Sequence, residues 1–106
     1  MAKYLFEANY TLDGIKGVQS AGGSARRDAV AQVAESVGGR IESFHFALGE
    51  HDAYVVVDLP DIESATAVAL TVNASGGATV RTVALLTPEE VDAAAQRSVD
   101  YRPPGA

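Results

Sequence analysis

The chain of 106 residues contains no cysteine. Disulfides, thiolate nucleophiles and cysteine-ligated metals are thereby excluded, and the fold has to stand on its core alone. Basic residues are also scarce. Eight Lys and Arg against fourteen Asp and Glu leave a net charge of −6. A field of that sign repels phosphate backbones and anionic lipid headgroups, so neither nucleic acid nor a membrane is an expected partner. Arg26-Arg27 is the only basic pair, and two charges do not make a patch. No apolar run approaches the ~20 residues of a membrane span. The opening MAKYLFEANYT lacks both the long apolar stretch and the small-residue cleavage site of a signal peptide. The expectation is a cytoplasmic protein, and the missing cysteines agree with a reducing compartment.

What remains is one domain's worth of chain, able to bury roughly 65% of its unfolded surface. Tyr4 to Thr11 alternates, with Tyr4, Phe6, Ala8 and Tyr10 on one face, and reads as a strand. LDGIKGVQSAGG, with four glycines and little periodicity, reads as a loop. Ser24 is a natural N-cap, and Ala25, Ala29, Val30, Val33, Ala34 and Val37 recur at helical spacing until Gly38-Gly39. Arg40 to Leu48 alternates again, GEHD turns the chain, and Ala53 to Leu59 forms a valine-rich strand. Asp61 caps a helix through about Ala74, and Ala78 to Leu86 is the fourth strand. Thr87-Pro88-Glu89-Glu90 is a capping box that starts a short helix to about Arg97.

Strand, helix, strand, strand, helix, strand is the ferredoxin-like order. The fold class expected is α+β: a four-stranded antiparallel sheet with two helices on one face and a short C-terminal helix. Residues 1–97 form the domain and 98–106 a flexible tail.

Helices on one face leave the other open. Alternation assigns to it Leu5, Glu7 and Asn9; Ile41, Ser43 and His45; Tyr54, Val56 and Asp58; and Thr79, Arg81, Val83 and Leu85. A bulge would invert part of this phase. The set is too apolar for a solvated face and too polar for an ordinary core. Such a patch suits an interface between two copies or a ligand site.

KYLFEANYT, GIKG, GGSARRDAV, VGGRIESFHFALGEHDAYVV and VNASGGATVRTVALLTPEEVDAA together resemble the GYD-domain family of small bacterial proteins. The likeness runs from Lys3 to about Ala95. It implies a ferredoxin-like domain of the dimeric α+β barrel type and little about activity. At the hairpin the family pattern is glycine, a variable residue, tyrosine and aspartate; this chain has Gly49-Glu50-His51-Asp52. Both tyrosine and histidine are planar and hydrogen-bonding, so a structural role carries over, while a role needing the phenol comes into question.

The candidate catalytic residues are His45, His51 and Asp52. The hairpin pair also has a structural reading, with Asp52 bonding turn amides and His51 at the rim. His45 is central in its strand on the open face. The candidate ligand-binding residues are Glu7, Arg26, Tyr54 and Arg81, with Arg26 lying in GGSARR, a segment resembling an anion cradle. No metal and no cofactor is expected, since His45 and His51 are too far apart along an extended strand to share an ion.

Two functions fit. One is a homo-oligomer that binds or senses a small organic ligand. The other is a cofactor-independent enzyme, an isomerase, decarboxylase or oxygenase, acting on a small hydrophobic organic acid.

Overall fold

The computed structural model describes residues 1–105, so the last residue of the expected tail lies outside the described residues. Eight elements follow one another. They are β1 (Ala2–Tyr10), α1 (Leu12–Ala21), α2 (Gly23–Ser36), β2 (Arg40–Phe46), β3 (Ala53–Leu59), α3 (Ile62–Ser75), β4 (Ala78–Leu85) and α4 (Pro88–Ala95). The strands form one antiparallel sheet in the order β2-β3-β1-β4, with the first and third strands central. This is the α+β, ferredoxin-like arrangement expected.

Alternation decides which side chains meet the helices. On β1, Tyr4, Phe6 and Ala8 are buried; on β3, Ala53, Val55, Val57 and Leu59 join them. Ala34 of α2 and Ala65 of α3 are buried against this layer, with Val30, Val37, Val68 and Ala69 packed around it. Burial of each large aliphatic in such a core contributes about 1.5–3 kcal/mol.

Expectations in two regions need correction. The segment read as a loop is a helix, α1, for which Thr11 is the N-cap: its Oγ1 accepts from the Gly14 amide at 3.2 Å and donates to the Gly76 carbonyl at 2.8 Å. Gly14 lies so close to the Gly77 carbonyl that a Cβ would collide with it. The glycine that weakened the helical signal is what lets α1 dock on the loop before β4. The next helix begins at Gly23, one residue before Ser24, because Gly22 breaks the chain with φ 94° and serves as the cap.

The second correction is a bulge in β2. Ile41 pairs with Val57 but Ser43 pairs with Val56, which leaves Glu42 as the extra residue. Ile41 therefore packs on the core side and does not share the open face with Ser43 and His45. The helix at residues 88–95 starts as expected. The Thr87 hydroxyl accepts from the Glu90 amide, and the Glu90 carboxylate accepts from the Thr87 amide.

The helix α4 buries none of its residues, and residues 96–105 are likewise exposed. The described chain measures 56 × 33 × 23 Å, with a radius of gyration of 16.9 Å. A compact chain of this length would have about 13 Å. The difference reflects an arm that reaches beyond the body.

Candidate functional site

The strand registers arrange the open face in rows that cross the sheet. The lowest runs Arg40, Asp58, Lys3, Leu85; the middle one Ser43, Val56, Leu5, Val83; the upper one His45, Tyr54, Glu7, Arg81. Asn9 and Thr79 pair above that. Charged and polar groups thus flank an apolar centre.

The lower row is an ion cluster. Lys3 Nζ reaches Asp58 Oδ1 at 2.9 Å and Glu42 Oε2 at 2.8 Å, while Arg40 Nε reaches Asp58 Oδ2 at 3.3 Å. The bulge brings Glu42 to Lys3 by giving it a place outside the alternation. The hydrogen bond from Lys3, reinforced by its charge and by Arg40, holds the Asp58 carboxyl below its ordinary 3.8, against the opposing effect of burial. Glu42 first and then Asp58 raise Lys3 above its ordinary 10.5. This cluster is structural.

The upper end is organised by the hairpin. The Asp52 amide donates to the Ala8 carbonyl, and the Asp52 carboxylate accepts from the Tyr10 amide at 2.9 Å. That tie to the end of β1 breaks the alternation, so His51 faces the same side as Tyr54, three residues on. His51 is only 6% exposed, not at the rim as expected. Its Nε2 lies 3.2 Å from Glu7 Oε2, and Nδ1 lies 3.0 Å from the amide nitrogen of Asn9. With the Asn9 amide nitrogen as donor, Nδ1 is the acceptor and the ring proton sits on Nε2, aimed at Glu7. The ring meets Tyr54 edge-on, with centroids 5.7 Å apart.

The structure therefore brings Glu7, His51 and Tyr54 into contact and places His45 and Arg81 at the two ends of their row. Asp52 is not an orienting partner for His51, because its carboxylate holds the Tyr10 amide. Asn9, which alternation had placed on this face, is the partner that sequence reasoning did not single out. Arg26 belongs elsewhere. It lies 5.4 Å above the Tyr10 ring, with Nε 3.4 Å from the hydroxyl, at the helix-covered end of the sheet. Arg27 pairs with its neighbour Asp28.

Chemically, the Glu7 carboxylate is held by a donor on one oxygen and is 22% exposed, so it can still accept a hydrogen bond or a proton from a bound molecule. Arg81 has no carboxylate within ion-pair distance among the described residues, although it stands opposite Glu7 in register. It is a cation with room for an anion. No group of three or more His, Asp or Glu side chains among the described residues is arranged to hold a metal ion. Among the described residues no helix is long and apolar enough to cross a membrane.

An α+β sheet with paired helices on one face and a mixed, uncovered face on the other defines the class. The GYD domain profile matches residues 4–95, and the chain belongs to that family. No curated protein and no solved structure gives a significant match.

Proposed function

We propose that the protein is a homo-oligomeric binding module that holds a small organic ligand, with the open sheet face shared between two copies in the cytoplasm. The observation that carries this reading is the open face itself: an apolar centre of Val56, Leu5 and Val83, bordered by a buried imidazole whose hydrogen bonds are already satisfied. Val83 remains 39% exposed at that centre. A second copy brought up by a twofold axis covers it and sets Arg81 and Glu7 among complementary charges.

The area argues for the arm as well. A four-stranded face spans roughly 20 by 25 Å, or about 500 Å². Stable interfaces need about 800 Å² per partner. The exposed arm, with Val91, Val99 and Tyr101 open at 52%, 81% and 69%, supplies apolar surface for the remainder.

Val83→Arg tests the reading. It puts a charge at the centre of the shared face without touching the core, so the expected result is a folded monomer by circular dichroism and sedimentation. An unchanged subunit count would contradict the shared face.

A second reading rests on the same pair. Glu7, oriented by His51, is placed as a general base for a cofactor-independent reaction on an organic acid, with Arg81 holding the anion and His45 at the far end of the row. Glu7→Gln separates the two: a binding module keeps its ligand, whereas an enzyme loses turnover.

A further inference from the structure

The side of the sheet beneath the helices holds a separate feature, and Arg26 is its centre. Valines of α2 and α3 face one another above the sheet. Between them a cavity of about 60 Å³ opens onto the sheet, lined by apolar side chains that include Phe6, Val30, Val33, Val68 and Val72. These four valines line the cavity and stay partly exposed. Beside it lies an open cleft of about 330 Å³ between α1, α2 and the start of β4. The two spaces share Tyr10, Arg26 and Ala78 as a common wall.

The wall is the informative part. Arg26 is a partly buried residue whose guanidinium stacks on Tyr10 and donates to its hydroxyl, with no carboxylate within ion-pair distance among the described residues. A guanidinium without a carboxylate partner can pair with an incoming anion. The first turn of α2 adds to it: the cap, Gly22, offers no side-chain hydrogen bond, and Gly22 lines the cleft. A Cβ at Gly17 or Gly22 would meet nothing within 4 Å, so that side of the cleft is left open rather than filled by packing. Asp13 is the one carboxylate lining the cleft.

We propose that this cleft is the ligand seat of the module and that it takes an amphiphilic monocarboxylate. The carboxylate pairs with Arg26 in the outer cleft, most of the hydrocarbon part lies along that cleft, and only its end passes Tyr10 into the small valine-lined cavity. A second carboxylate at the far end would be buried unpaired among the valines, which disfavours a dicarboxylate. The assignment rests on the binding-module reading and names its ligand class, but it does not depend on how two copies meet.

The test uses the full chain and three eight-carbon probes: octanoate, octanol and the dicarboxylate suberate. Binding is measured by calorimetry, and the site is located by amide chemical shifts. Octanoate is expected to bind at least tenfold more tightly than either of the others and to move the Val18, Gly22 and Ala78 amides. Arg26→Gln, a change on the helix surface, is expected to weaken octanoate at least tenfold and leave octanol unchanged. Val72→Met, which fills the inner cavity, should weaken both. Equal affinity for octanoate and octanol, an indifferent Arg26→Gln variant, or no octanoate binding would overturn the assignment. Octanoate shifts confined to Glu7, Asn9 and His51 would overturn the cleft while leaving a binding module intact. A bare monomer by mass that still binds octanoate through Arg26 would sink the shared-face reading and leave the cleft standing.

Discussion

The helix-covered face and the open face of the sheet take alternate residues from the same strands, yet different forces hold them. On the covered side Tyr4, Phe6, Val55, Val57 and Leu59 are buried among aliphatic neighbours. Their contribution is non-directional and scales with area. On the open side the buried groups are Asp58 and His51, each fixed by named partners at 2.9–3.3 Å. A loss on the first face leaves a cavity, and a loss on the second leaves an unpaired polar group. The covered face is therefore held by area, and the open face by a few specific pairs.

The largest expected effect breaks the covered face. Phe6→Ala should cost about 3–5 kcal/mol by urea unfolding at fixed protein concentration, through lost burial and the cavity left behind. A cost below 1 kcal/mol would mean that Phe6 is not packed among its aliphatic neighbours as described.

The next effect sharpens the contrast on the open face. His51→Ala strands both Glu7 and Asn9 and should cost about 1–3 kcal/mol. His51→Tyr restores a ring with one hydrogen-bonding group and should recover part of that loss. If alanine and tyrosine behave alike, the hydrogen bonds of the imidazole are not what holds the hairpin down.

Acid distinguishes the lower row. The Asp58 carboxyl lies below its ordinary 3.8 in the folded state. Its contribution is therefore full above the unfolded value and is lost as pH falls through the lower folded value. Unfolding free energy should hold steady down to about pH 4 and then decline. Asp58→Asn should start less stable at neutral pH and show a shallower decline. Lys3 has the opposite sign: raised above its ordinary 10.5, it keeps its contribution until the pH climbs through that raised value.

The smallest effect lies outside both faces. Thr87→Ala removes the capping box and should reduce the helicity of α4 by about 1 kcal/mol of local stability. Because α4 buries nothing in the single chain, the global unfolding midpoint of a monomeric variant should not move.

Much of this architecture was legible in the sequence because alternation and caps are local signals. The β1 pattern from Tyr4 to Tyr10, the Asp61 cap and the Thr87–Glu90 box each depend on residues within a few positions. What was not legible depends on distant partners. The helix α1 forms around Gly14 because the Gly77 carbonyl leaves no room for a side chain, and nothing within residues 12–21 announces that. The bulge at Glu42 is stabilised by Lys3, thirty-nine positions away, so the phase of Ile41 could not be read from β2 alone. The same holds for His51. Its burial follows from the Asp52 tie to Ala8 and Tyr10, which turns the imidazole onto the open face beside Asn9. The row of His45, Tyr54, Glu7 and Arg81 was foreseeable as a shared face and Arg26 fell outside it at the start of a helix, whereas the stacking of Arg26 on Tyr10 was not foreseeable.

Native mass spectrometry of the freshly purified full chain tests the central claim most directly, because subunit count and retained small molecules are read together. The account predicts a dimer or larger even assembly carrying additional mass from an organic ligand, reduced to a monomer by Val83→Arg. A bare monomer at every accessible concentration would contradict it.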